Sequence, residues 1–171
     1  MRTVPIRVLG IDPGTIRTGV GILEGDGNRP KLVTFESVEV SERLPISERL
    51  KEIYEAVRGY IARYSPEVMA LENVFFGKDV RALVKIGEAR ASAMLAAAER
   101  GIPVVEYAPA RVKQAVSGNG QASKVQMQQM VRERLGLREA PPVDAADALA
   151  VALCHLQCSG REALNVRIPV R

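Results

Sequence analysis

Four carboxylates stand where hydrolytic chemistry would use them. Asp12 ends the apolar run Val8-Leu9-Gly10-Ile11, and Glu72 ends a second run, Val68-Met69-Ala70-Leu71. Asp144 and Asp147 are three apart at the start of an apolar segment with helical spacing, so they share one helix face. Each acid alone has an ordinary reading: most meet water, and first-turn acids favour the helix dipole and cap free N–H groups. Together they read differently. Acids at strand ends share one edge of a sheet, and a helix laid on that edge brings its own pair to the same point. Clustered carboxylates repel unless a cation compensates them, and an all-oxygen set suits hard ions such as Mg2+ or Mn2+. Two such ions roughly 3.5–4 Å apart can activate water and stabilise the leaving oxygen in phosphodiester cleavage. That chemistry needs no Ser–His pair, which fits a chain whose one histidine is His155.

Cations and aromatics extend the pattern. From Tyr107 to Arg132 there is no acidic residue, while Arg111, Lys113, Lys124 and Arg132 all fall there around a loop at Gly118-Asn119-Gly120. The plain reading is a glutamine-rich solvated surface. The functional one is a phosphate-facing strip, each neutralised phosphate adding about −0.9 to the log–log salt slope of binding. Phe75 and Phe76 follow Glu72 closely in a chain with 4 Tyr, 3 Phe and no Trp. They either pack under the next helix or expose a ring that stacks on an unpaired base, worth ~1–3 kcal/mol. Cys154, His155 and Cys158 do not make a zinc site: the cysteines share a helix face, the histidine points elsewhere, and no fourth ligand is evident.

The elements that must hold these groups follow from periodicity. Strands are predicted over residues 8–11, 19–23 and 32–40, with Gly25-Asp26-Gly27-Asn28 as a hairpin turn and Leu32, Thr34, Glu36, Val38 and Val40 alternating on one face. Ile46, Leu50, Ile53, Tyr54, Val57 and Ile61 keep the spacing of a buried helical stripe. Then come a strand over 68–72, a helix over 79–100, a strand over 102–107, and helices over 123–135 and 144–158. Ser123 and Gln126 open the first of these last two as a capping box, and Gly136 closes it. The helix over 79–100 carries seven alanines between Ala82 and Ala98, which permits close packing against a neighbour. Three strands, a helix, then alternating strands and helices describe one α/β domain over residues 1–158, followed by a flexible tail over 159–171.

Bulk properties agree. A chain of 171 residues has room for one ordinary domain, and 47% hydrophobic with 26% charged residues is a globular mixture, not a disordered or collagen-like one. No stretch approaches the ~20 apolar residues of a membrane span. Two cysteines make no disulfide framework, and Met1-Arg2-Thr3-Val4-Pro5 begins no signal peptide, so a reducing cytoplasm is expected. The net charge of +4 is too small, as an average, to indicate a partner.

Four segments, Leu9-Gly10-Ile11-Asp12-Pro13-Gly14, Glu72-Asn73-Val74-Phe75, Arg111-Val112-Lys113-Gln114 and Asp144-Ala145-Ala146-Asp147-Ala148-Leu149-Ala150, occur in this order. In order and spacing they resemble the RuvC family, the bacterial Holliday-junction resolvases (crossover junction endodeoxyribonucleases), over residues 7–156. The resemblance implies an RNase H-like fold with a central five-stranded mixed sheet flanked by helices. It also implies a homodimer that nicks a four-way DNA junction symmetrically, with Mg2+ or Mn2+, two ions per site, alongside the RuvA–RuvB branch-migration machinery. By motif position Asp12, Glu72, Asp144 and Asp147 would be the metal-binding catalytic acids. Phe75 falls on the family's base-stacking aromatic, and Lys113 and Lys124 on its DNA-contacting basic residues. Asn73 stands where the family often has Gln, and the tail beyond Leu156 does not match. Competing readings are a non-catalytic junction-binding protein of the same fold, a related RNA-processing nuclease, and an actin-like ATPase, for which one domain is too short to enclose a nucleotide.

Overall fold

A computed structural model describes residues 4–74 and 79–162, without the side chains of residues 160–162; Phe75 and Phe76 lie outside the described residues, as does the segment 163–171. Five strands form one mixed sheet: β1 (Ile6–Asp12), β2 (Arg17–Gly25), β3 (Lys31–Glu39), β4 (Val68–Glu72) and β5 (Val104–Tyr107). Their order is β3-β2-β1-β4-β5. β1 to β3 form an antiparallel meander, joined by hairpins, while β4 and β5 run parallel to β1 and need crossovers. Those crossovers are α1 (Ile46–Tyr64) and α2 (Val80–Glu99), which cover one face. α3 (Pro109–Ser117), α4 (Lys124–Leu135) and α5 (Val143–Glu162) cover the other. This is the RNase H-like α/β arrangement that the resemblance implies.

Strand alternation sorts side chains between the two cores. Leu9 and Ile11 of β1 and Met69 and Leu71 of β4 join the α1–α2 core. Val8, Val68 and Ala70 join the α5 core. Continuing the alternation, Asp12 and Glu72 project on the α5 face at the carboxyl ends of neighbouring parallel strands, one step beyond the last pair, Ile11↔Leu71. Pro13 offers no N–H to prolong β1. The turn after it is pinned by Thr18, 1% exposed, whose hydroxyl donates to the Gly14 carbonyl at 2.8 Å.

α5 lies unusually close to the sheet because both surfaces are small. Ala145, Ala148 and Ala152 of α5 are fully buried, and opposite them β1 and β2 present glycine. A Cβ on Gly10 would fall 2.0 Å from the Ala148 carbonyl oxygen, and one on Gly19 1.9 Å from that of Asp144. Neither backbone has room to yield, so glycine at these two positions sets the depth at which α5 sits.

Four features depart from the sequence pattern. No helix is predicted between β5 and Ser123, yet α3 fills that interval. It has Pro109 at its start and ends at Gly118, whose φ of 75° closes it in the left-handed region. Only Val112 and Val116 are buried along its nine residues, too short a stripe to show a period. In β3 the expected alternation breaks at a bulge opposite Ile22/Leu23, so Leu32 joins the α5 core with Phe35, while Val38 and Val40 join the other. α5 also continues to Glu162, past residue 158. Ile46 opens α1 but stays 40% exposed, whereas Ile53, Val57 and Ile61 are buried as the stripe predicts.

Gly19→Ala and Gly10→Ala should each lower unfolding free energy by about 3 kcal/mol or more, as overpacking against backbone does. Gly59→Ala on the exposed face of α1, where an added Cβ meets nothing within 4 Å, should instead gain about 0.5–1 kcal/mol. Denaturant unfolding of the three variants checks both signs.

Candidate active site

The deep seating of α5 brings its first two turns over the carboxyl ends of β1 and β4. Asp147 then meets Asp12 and Glu72 in a cleft of about 270 Å3 whose other wall carries Lys113 of α3 and Lys124 of α4. Lys124 Nζ stands 4.0 Å from Asp147 Oδ2, the ammonium largely in solvent. Asp144, three residues nearer the helix start, lies beside this cleft. Its Oδ2 accepts a 3.3 Å hydrogen bond from the Ser37 hydroxyl of β3. Ser37 is the register partner of Gly19, so the missing side chain on β2 lets a β3 residue reach α5.

The electrostatics match this crowding. Burial, reinforced by the charges of Asp147, Asp144 and Glu72, raises the Asp12 carboxyl from an ordinary 3.8 to about 7, with Lys124 pulling it back. Glu72 is pushed up by burial and then by Asp147, against Lys113 and Lys124, although one side of it stays open to solvent. Asp147 is raised by burial and Asp144 and lowered by Lys124. In the absence of a cation, the site thus resists holding all its charges at once.

The donor set fits a hard divalent ion. It is all carboxylate oxygen, Asp12 is desolvated enough to gain from a cation, and the one ammonium near Asp147 shows which sign of charge the cleft draws. Among the described residues, no group of three or more His, Cys, Asp or Glu is already drawn around a single point. Mutual repulsion keeps carboxylates apart until a counter-charge joins them. Asp12, Glu72, Asp144 and Asp147 are the residues that would hold such an ion.

The sequence-predicted residues are not all brought together. Lys113 and Lys124 line the acidic cleft. Arg111, two residues from Lys113, turns away into a separate cleft of about 470 Å3 between α3, α4 and the end of α5, where its Nη2 donates to Cys158 Sγ at 3.3 Å. Cys154 and Cys158 are buried in the α5 core, burial pushing the Cys154 thiol up to about 12. The Tyr107 hydroxyl and His155 Nδ1 share a hydrogen bond of 2.7 Å. Phe75 and Phe76 lie outside the described residues. Two contributors escape the sequence pattern: Ser37, a serine in a polar edge strand, and Arg90 of α2, whose Nη1 donates to the Glu72 carbonyl at 2.7 Å. Only knowledge of which strands and helices adjoin would have found them.

Known proteins are similar to this chain in sequence and in fold. A family model for crossover junction endodeoxyribonuclease RuvC matches residues 8–155. Crossover junction endodeoxyribonuclease RuvC of Desulforamulus reducens is 50% identical over 153 residues, 89% of this chain and 94% of that protein. The protein of the same name from Chloroflexus aggregans is 50% identical over 151 residues, 88% of this chain and 92% of that one. Among solved structures, T. thermophilus RuvC in complex with a Holliday junction substrate superposes with a TM-score of 0.86 at 39% identity, covering 91% of this chain and 96% of that one. With a family match over most of its length, half-identical relatives and the same fold, this chain belongs to the RuvC family of crossover junction endodeoxyribonucleases.

Proposed function

We propose that the chain is a structure-specific endonuclease that resolves four-way DNA junctions by hydrolysing phosphodiesters with Mg2+ or Mn2+, two ions per site. The observation that carries the reading is the meeting of Asp12, Glu72 and Asp147 in one cleft faced by Lys113 and Lys124. Family membership supports the junction as substrate, through a relative whose structure holds one.

Asp12, whose carboxyl burial raises to about 7, would hold the ions together with Glu72 and Asp147. Asp144, oriented by Ser37, completes the set or positions the attacking water. Bound divalent ions supply Lewis acidity at the phosphate and charge for the leaving oxygen. Lys113 and Lys124 hold phosphate against the acidic cleft, so the backbone approaches carboxylates that would otherwise repel it. Phe75, by its place in the motif, stacks on a base near the junction centre. The resemblance also supports action beside RuvA–RuvB in the cytoplasm.

Paired, symmetric nicks call for a homodimer, and α2 supplies a face for it. Val80, Val84 and Leu95 are 68%, 54% and 64% exposed, and with Gly87 and Ala91 they form one stripe along the helix. α2 therefore packs Ala89, Ala93, Ala96 and Ala97 inward and keeps an apolar line outward for a second copy.

On a synthetic four-way junction with Mg2+, the protein should cut paired strands and leave plain duplex intact; a chain that binds the junction but never cuts it would be the non-catalytic alternative. Asp12→Asn should lose cleavage by roughly 10³-fold or more. Its junction binding should persist or tighten, because one repelling charge is gone; wild-type cutting would refute the site. Lys113→Met and Lys124→Met should each flatten the log–log salt slope of junction binding by about 0.9. Arg111→Met, directed into the other cleft, should leave that slope unchanged.

A further inference from the structure

Arg90 sits in the middle of α2 with its side chain only 12% exposed. A guanidinium is rarely withdrawn this far from water unless its donors are matched by acceptors. Here Nη1 donates to the main-chain carbonyl of Glu72 at 2.7 Å, and Nη2 forms an ion pair with Glu106 of β5. One side chain thus ties together α2, the end of β4 and β5.

The point it grips is held by the sheet on one side only. Pairing of β4 with β1 stops at Ile11↔Leu71, so Glu72 lies beyond that ladder. On the other side it pairs with Tyr107, and Asn73 N–H reaches the Tyr107 carbonyl at 2.7 Å. Packing adds little, because Asn73 and Val74 border a cleft of about 360 Å3 against Leu83 and Gly87 of α2. The Glu72 carbonyl finds its partner in Arg90, which gives the Glu72–Asn73 peptide a second anchor opposite the bond from its N–H to Tyr107.

We propose that Arg90 is a positioning residue for the metal site: it clamps the Glu72 peptide between α2 and β5, so that the Glu72 carboxylate stays aimed into the acidic cleft. The inference rests on the reading of Glu72 as a metal ligand. It goes beyond the four acids by making the helix with the exposed apolar stripe part of the support of one of them. Groups that orient ligands commonly change metal affinity by about 10–100-fold when removed. A guanidinium that merely pinned α2 to the sheet would lower stability and leave metal affinity alone.

The test is direct Mn2+ titration of the full chain without DNA, followed by the paramagnetic resonance of free Mn2+. Thermal stability and junction binding in EDTA are measured alongside. Glu72→Gln should weaken Mn2+ binding. Arg90→Met should weaken it about tenfold, Arg90→Lys should restore part of the loss, and junction binding in EDTA should be unaffected. Glu106→Met, which keeps the bond to Glu72 but removes the acceptor at the other end of the clamp, should weaken Mn2+ binding by a smaller factor, and it decides the matter if Arg90→Met fails to fold. Wild-type Mn2+ affinity in Arg90→Met, or in Glu106→Met in that event, beside a weakened Glu72→Gln would overturn the clamp alone. Unchanged affinity in Glu72→Gln would overturn the metal-ligand reading and the clamp with it.

Discussion

The close contact between α5 and the sheet is the constraint from which the rest follows. Two strand positions without side chains, Gly10 and Gly19, face an alanine-lined helix, and the carbonyls of Ala148 and Asp144 occupy the space where Cβ atoms would be. With larger residues the helix would stand further off, Asp147 would miss the ends of β1 and β4, and Ser37 would not reach Asp144. The fold therefore spends its tightest packing on bringing two acids of a helix to two acids of a sheet.

That arrangement is electrostatically uncomfortable, and on the proposed reading the discomfort is functional. A carboxyl that ionises near 3.8 in the unfolded chain and near 7 in the native cleft makes the metal-free protein lose stability as pH rises between those values, because the unfolded chain gives up its proton first. A divalent cation reverses the balance by favouring the ionised form, so binding the ion and relieving the strain are one event. Lys124 does part of this work from the rim at 4.0 Å from Asp147, and phosphate would draw the same ammonium toward DNA. On the proposed reading, the cluster would exchange a protein cation for a metal ion as the backbone arrives.

Much of this was legible in the sequence. Runs such as Val8-Leu9-Gly10-Ile11 are short, unbroken and apolar, as strands covered on both faces are, and an acid just after each run marks a strand end whatever the tertiary context. The capping box at Ser123 and the glycine stop at Gly136 likewise depend on a few adjacent residues, and the structure has both. What escaped depends on long-range neighbours. α3 is too short for periodicity to reveal, the β3 bulge is set by pairing with β2, and Ser37 meets Asp144 across 107 residues. Arg111 and Lys113 look equivalent as neighbouring cations, yet two residues along a helix turn them into different clefts.

Burial and clustering raise the Asp12 carboxyl, which on the proposed reading leaves it poised for a cation. A carboxyl-carbon NMR titration of the metal-free protein, with the Asp12 resonance assigned by its loss in Asp12→Asn, tests it most directly. A midpoint near 7 without metal and a marked fall on saturation with Mg2+ are expected. A midpoint at the ordinary 3.8, unmoved by Mg2+, would contradict it.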